Sequence, residues 1–189
     1  LIDAGAEIDS YTADITRTFP ASGRFSDSQR RIYEIVLAAQ QAAIDEAWPS
    51  RPCDRVHETA RGIAVAGLID LGILPGPLED ELKKDDYKKY YVHGTSHWLG
   101  MDVHDVGDYK VDGNARELVP GMVLTVEPGL YFPEDLEDVP EPLRGIGVRI
   151  EDDVLVTETG PLVLTSGVPK AVDEVQALVG AGAGAPAPA

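Results

Sequence analysis

The sequence predicts an α+β fold in which strands carry the chemistry and helices cover them. Two segments repeat apolar residues at helical spacing, and the segments around them run apolar or alternate as strands do. Four acids, Asp3, Asp14, Glu127 and Glu151, are set in those strand-like stretches rather than in polar loops. Burying an unpaired carboxylate is costly or forces it to take up a proton, so four such acids in one chain call for a common explanation. Three of the four histidines, His93, His97 and His104, fall within twelve residues, in HGTSHWLGMDVH.

Residues 1–19 read as a β-hairpin, with β-branched and apolar residues flanking a polar break at Asp9-Ser10. Asp3 and Asp14 lie on opposite arms, across from each other within a residue or two. The register depends on a turn type that the sequence does not define. Ser26 and Gln29 form a capping-box pattern, and Ile32, Ile35, Val36 and Ala39 follow at helical spacing, with Pro49 beyond the end. A second helix fits residues 54–71, with Val56, Ala60, Ile63, Ala64 and Leu68 on one face and Gly72 as its stop. Residues 75–90 read as a polar loop with a short helix. Strands are expected from the histidine cluster onward, at 122–127, 147–151 and 153–157. Residues 132–144, rich in Pro, Glu and Asp, are expected to form a surface loop. Residues 179–189 are low-complexity and expected to be disordered.

The chain has 189 residues, 43% of them hydrophobic, which suits one domain with a core. No apolar run approaches the ~20 residues of a membrane span, and no stretch of these residues reads as a basic start with an apolar centre, so a secretory signal is not expected. A net charge of −17 repels nucleic acid and anionic membranes, so neither is expected as a partner. A single cysteine, Cys53, excludes an internal disulfide framework and fits a cytoplasmic location. The chain opens within a strand, two residues before a candidate ligand. Because chain ends fray, it is expected to be part of a longer protein.

Four carboxylates and one histidine form a hard, oxygen-rich ligand set. The imidazole tilts the choice toward Mn²⁺, Co²⁺, Fe²⁺ or Zn²⁺, and no second cysteine offers a thiolate zinc site. Bridging carboxylates let five residues hold two ions roughly 3.5–4 Å apart. Each residue alone has a plainer reading. Asp3 or Asp14 would be a turn acid, His97 a core histidine, and Glu151 the head of a solvated Glu-Asp-Asp run. His93 and His104 would be structural hydrogen-bonding partners, and Arg149 an ion-pair partner of a ligand acid. His57 reads as a helix-surface residue, Cys53 as inert and Trp98 as core packing; Tyr131 has no fixed role.

The motifs IDAGAE…YTADITRTFP, HGTSHWLGMDVHDVG, GMVLTVEPGLYF and GIGVRIEDDVLVT change those odds. With them, the chain resembles the pita-bread metallopeptidases. The aminopeptidase P (Xaa-Pro aminopeptidase) branch is nearest and prolidase next, over residues 1–178. The resemblance implies a partial C-terminal catalytic domain with a curved, mainly antiparallel sheet covered by helices. It implies Asp3, Asp14, His97, Glu127 and Glu151 as ligands to two divalent ions, Mn²⁺ by preference, with Asp14 and Glu151 bridging. Glu127 is also similar to a proton-shuttling glutamate, and His93, His104 and Arg149 match catalytic residues around the metals. The implied reaction is release of an N-terminal residue from peptides with proline in second position, by attack of a metal-bridging hydroxide. The alternatives are a prolidase acting on Xaa-Pro dipeptides and a non-catalytic binding module. The family's catalytic domain starts well before Leu1. The resemblance therefore implies that the missing N-terminal part of the protein completes the substrate site, and that the full-length protein is a homo-oligomer.

Overall fold

The computed structural model describes residues 1–182. The chain opens on an antiparallel arm, with β1 (Ile2–Asp3) and β2 (Glu7–Ile8) going out and β3 (Tyr11–Thr12) and β4 (Thr16–Arg17) returning. One register holds throughout: Ile2 lies opposite Arg17, Asp3 opposite Thr16, Glu7 opposite Thr12 and Ile8 opposite Tyr11. Asp9 and Ser10 turn the tip with φ of 51° and 67°, the left-handed pair that suits the twist of a two-residue hairpin. Between the paired ends, a Cβ on Gly5 would lie 1.6 Å from the Ala13 carbonyl oxygen, so only glycine fits there. Asp3 faces Thr16, and Asp14 lies two residues from Thr16, so both acids project from one face.

The first expected helix, α1 (Asp27–Ile44), starts where the capping pattern placed it. Ser26 Oγ accepts from the Gln29 N–H, and the Gln29 side chain accepts from the Ser26 N–H. The second, α2 (Asp54–Asp70), ends before Gly72, which takes φ 72°. The region expected as a loop with a short helix holds α3 (Leu78–Lys84) and a 3₁₀ turn at Asp86–Lys89. Ile32, Tyr33, Val36, Val65 and Leu68 of the two long helices pack with Leu130, Phe132, Val148 and Ile150 of the sheet in one buried cluster.

A small hairpin, β5 (Lys110–Val111) and β6 (Asn114–Ala115), precedes the main sheet. That sheet is built from β7 (Val123–Val126), β8 (Gly129–Phe132), β9 (Ile146–Arg149), β10 (Asp152–Thr157) and β11 (Gly160–Val163). β7 pairs with β10 and β8 with β9 in a single antiparallel register, Val126 opposite Asp152 and Gly129 opposite Arg149. Glu127 therefore stands opposite Glu151 at the break between the two ladders. Pro128 has no N–H to give there, and strand alternation turns the Glu127 and Glu151 N–H groups outward. Glu127 N–H donates to the Thr95 carbonyl at 2.8 Å, and Glu151 N–H donates to the Thr16 carbonyl at 3.1 Å. These bonds attach the histidine segment to one flank of the sheet and the opening arm to the other.

Three expectations need correction. The histidine cluster is not a strand throughout. His93–Leu99 runs along β7, held by Thr125 N–H to His97 O and Leu99 N–H to Val123 O, and then the chain turns away. His104 arrives from that loop. Residues 132–144 do connect strands as a loop, but Val139 and Leu143 are 1% and 6% exposed and anchor it in the core. The final helix, α4 (Val172–Gly182), carries the chain past residue 178, where composition placed the start of the tail; residues 183–189 lie outside the described residues. Among the described residues, no helix is long and apolar enough to cross a membrane.

Behind the sheet sits a charged hub that the Glu-Asp-Asp run did not suggest. Asp152 is 0% exposed. It accepts from Arg17 Nη2 at 2.7 Å, Thr165 Oγ1 at 2.7 Å, Gln40 Nε2 at 2.8 Å and Lys170 Nζ at 2.6 Å. Burial opposes its ionisation, but the Lys170, Arg17 and Thr165 hydrogen bonds outweigh it and hold the carboxyl below its ordinary range. Asp152→Ala would leave the buried Arg17 and the part-buried Lys170 without a counter-charge. It should cost about 3–5 kcal/mol in urea denaturation at pH 7. Arg55→Ala, which removes an exposed pair with Glu58, should cost under about 1 kcal/mol.

Candidate metal centre

Strand alternation sorts the charges. Asp152 points to the helix side, and Glu151 and Asp153 point the other way. Asp14, Glu151, Glu127 and His97 come from four neighbouring segments, and their side chains meet in a cleft of about 570 Å³. Ligand atoms of Asp14, His97 and Glu151 all lie within 4.8 Å of one another. His97 Nε2 is 3.5 Å from Asp14 Oδ2 and 3.4 Å from Glu127 Oε1. The other ring nitrogen, Nδ1, is 3.1 Å from the Trp98 carbonyl. A carbonyl only accepts, so Nδ1 donates there and Nε2 is the nitrogen turned toward the acids, the orientation a metal ligand needs.

Asp3 lies at the lip of the cleft, its side chain 45% exposed and paired with Arg149. Arg149 Nε donates to Thr16 Oγ1 at 3.0 Å, and Thr16 Oγ1 donates to Glu151 Oε2 at 2.6 Å. Arg149 thus reaches Asp3 directly and Glu151 through Thr16. His93 is fixed at both nitrogens: Nδ1–H donates to the Gly94 carbonyl at 2.7 Å, and Nε2 accepts from Tyr131 Oη at 2.7 Å. Burial pushes its pKa down, and Glu127 Oε2 lies 3.8 Å from Nδ1. The His104 ring stands edge-on to His97 with centroids 4.3 Å apart. The structure therefore gathers all eight expected site residues around one cleft, with Asp3 the most exposed of the acids.

Several contributors had no sequence signal of their own. Thr16 is fully buried and orients Glu151. Asp153 is 3% exposed, and its Oδ2 accepts from the Asp14 N–H at 3.1 Å. His57, expected on a helix surface, is half-buried, with Nδ1 2.8 Å from Thr95 Oγ1. The Tyr91 hydroxyl shares that threonine. Only pairing with a partner strand could have revealed Thr16 and Asp153, because their neighbours in sequence do not.

Burial and mutual repulsion raise the acids. The Glu127 pKa is pushed up to about 7 by burial, with Asp14 and Asp3 adding repulsion against the pull of Arg149. Glu151 is pushed up to about 8 by burial, opposed by the Thr16 hydrogen bond and reinforced by Glu127, Asp14 and Asp3. Asp14 is raised by burial and then by Asp3. Clustered carboxylates that hold protons in place of counter-charges fit divalent cations well.

The comparisons agree with this chemistry. The sequence profile of metallopeptidase family M24 matches residues 1–158. The chain belongs to metallopeptidase family M24. An Xaa-Pro aminopeptidase of Haemophilus influenzae is 50% identical over 95% of this M24 chain and 41% of its own length. The Xaa-Pro aminopeptidase of Escherichia coli K12 is 49% identical over 95% and 40%. The solved structure of a Pseudomonas aeruginosa aminopeptidase superposes with a TM-score of 0.95 at 53% identity, covering 97% of this chain and 41% of that one. A variant of E. coli aminopeptidase P in complex with substrate gives 0.90 at 48% identity, covering 95% and 40%. The fold is the pita-bread fold. The M24 chain spans about 40% of the length of the curated relatives it matches.

The raised acids give a pH test. Glu127 and Glu151 bind protons more tightly in the folded chain than in the unfolded one, where the ordinary value is 4.5. Between about pH 4.5 and 8 the folded state holds more protons, so raising the pH through that window lowers stability. With a chelator present, the melting temperature should fall from pH 5 to pH 8. Stabilisation by added Mn²⁺ should grow over the same range, because ions and protons compete for the same oxygens. A Mn²⁺ effect independent of pH would separate these acids from metal binding.

Proposed function

We propose that this chain carries the metal centre of an Xaa-Pro aminopeptidase, an enzyme that releases the N-terminal residue from peptides with proline in second position. The observation that carries the proposal is the meeting of the Asp14, His97, Glu127 and Glu151 side chains on one face, in an M24 chain about half identical to Xaa-Pro aminopeptidases. Asp3, Asp14, His97, Glu127 and Glu151 would hold two divalent ions. Mn²⁺ suits this oxygen-rich set with one imidazole. When bound, such a pair supplies Lewis-acid polarisation of the scissile carbonyl and a water acidified toward neutral pH.

The protein residues supply the rest. Glu127, whose carboxylate its neighbours hold only by long contacts, can take the proton that the attacking water gives up and pass it to the proline nitrogen as the C–N bond breaks. His104 faces the same cleft and can donate to the carbonyl oxygen as negative charge develops there. His93, neutral and held by Gly94 and Tyr131, offers a fixed imidazole wall that orients the peptide. Arg149 holds Asp3 directly and Glu151 through Thr16, fixing ligand geometry from outside the metal positions. The same proposal places the enzyme in the cytoplasm as a homo-oligomer, its substrate groove completed by sequence beyond these 189 residues.

Asp14→Asn should lose metal and activity together, measured by metal analysis and peptide cleavage. His104→Ala should keep the metal and lose about 10²–10³-fold in kcat. A competition between an Xaa-Pro dipeptide and an Xaa-Pro-Xbb tripeptide, followed by mass spectrometry with a chelated control, tests the substrate class. Preferential loss of the dipeptide would move the assignment to prolidase.

A further inference from the structure

A second cavity, of about 240 Å³, adjoins the metal cleft, and the two share Gly94, Ser96 and Tyr109 in their walls. Trp98, Leu124 and Ala115 give it an apolar part, and Cys53, Asp54, His57 and Lys110 also line it. Trp98 and Leu124 are almost fully buried, and Tyr109 stacks on the Trp98 indole at 5.2 Å. The volume suits one aliphatic or aromatic side chain.

The main chain between the two cavities is an open edge. On its inner side the His97 and Thr95 carbonyls accept from Thr125 and Glu127 of the sheet. Alternation along an extended chain then turns the Ser96 N–H and C=O outward. Two residues on, the same outer edge is occupied, since Trp98 N–H donates to Tyr109 Oη at 3.1 Å and Trp98 O accepts from Asp105 N–H at 3.0 Å. Ser96 has no main-chain partner among the described residues. An unpaired edge beside a side-chain pocket is the arrangement by which a protein adds an extended peptide to its sheet, with main-chain bonds giving affinity and the pocket giving selectivity.

We propose that the part of the peptide following proline pairs with Ser96 and places the side chain of the third residue in the Trp98–Leu124–Ala115 pocket. This rests on the aminopeptidase reading and deepens it. An aminopeptidase substrate has a single residue before the scissile bond, so only the leaving side is long enough to extend as a strand. Proline has no N–H, so the third residue is the first that can both donate to the Ser96 carbonyl and accept from its N–H.

The test uses the whole protein loaded with Mn²⁺ and three peptides: Ala-Pro-Gly, Ala-Pro-Leu, and Ala-Pro-Leu with an N-methylated leucine. Ala-Pro-Leu should exceed Ala-Pro-Gly in kcat/KM by about tenfold or more, as a filled apolar pocket allows. Removing the leucine N–H by methylation should lower kcat/KM severalfold. Ala115→Phe, which fills the pocket, should bring the leucine-to-glycine ratio to about one; Cys53→Phe serves as a second filling variant if the first does not fold. Equal rates for leucine and glycine peptides in the unaltered enzyme, or an undiminished ratio in a folded filling variant, would overturn this proposal alone. Failure to cleave any of the peptides would overturn the aminopeptidase reading and this proposal with it.

Discussion

Arg17 uses all five of its guanidinium N–H groups within one buried site. They reach the carbonyls of Thr16, Glu151, Val168 and Pro169 and the carboxylate of Asp152. A guanidinium is a rigid planar fork, so satisfying every donor fixes five acceptors relative to one plane. Two of those acceptors are the main-chain oxygens of the residues that face each other at the metal cleft. The opening arm and the main sheet are therefore joined at the point where Asp14 and Glu151 must be in register. Lys170 and Gln40 tie the segment before α4 and the middle of α1 to the same carboxylate.

The two faces of β10 handle charge in opposite ways. On the helix side Asp152 has two cations and two further donors, so it stays ionised in a fully satisfied network. On the cleft side Glu151 has one hydroxyl donor, and Asp14, Glu127 and Asp3 are crowded near it. A chain that can pair Asp152 so completely on one face leaves Asp14, Glu127 and Glu151 under-compensated on the other. Accidental crowding would be relieved by moving a side chain into water. Here the backbone register opposes that: Glu127 and Glu151 stand directly across a ladder whose residues are fixed on both sides. The cleft is built to need positive charge from outside the protein.

Much of this was legible in the sequence because it depends on local pattern. The capping box at Ser26, the stop at Gly72 and the polar tip at Asp9-Ser10 are set by a few neighbouring residues. The site residues were legible for a different reason: an acid between Val126 and Pro128 is conspicuous within an apolar stretch, whereas Glu151 heads an acidic run and stands out only with the family motif around it. What stayed hidden depends on partners distant in sequence. Asp152 looked like part of a solvated run, and only the approach of Arg17 and Lys170 shows why it is buried. Thr16 reads as an ordinary strand residue until Arg149 and Glu151 reach it from more than a hundred positions away. The strand β8 and the helix α4 were not expected. The first follows Pro128 without a turn, and the second lies in a segment whose small residues give weak helical spacing.

The differing restraint on the two glutamates bears on which could move a proton. Glu151 is held at its side chain by Thr16, at its N–H by the Thr16 carbonyl and at its own carbonyl by Arg17. Glu127 is held at its N–H, but its carboxylate has only long contacts, 3.5 Å from Thr125 Oγ1, 3.4 Å from His97 Nε2 and 3.8 Å from His93 Nδ1. A carboxylate that must take a proton from one atom and deliver it to another needs room to turn, and a ligand that sets metal geometry needs the opposite. With two acids facing each other across one ladder, the proposed division of labour follows from which of them the surrounding hydrogen bonds leave free.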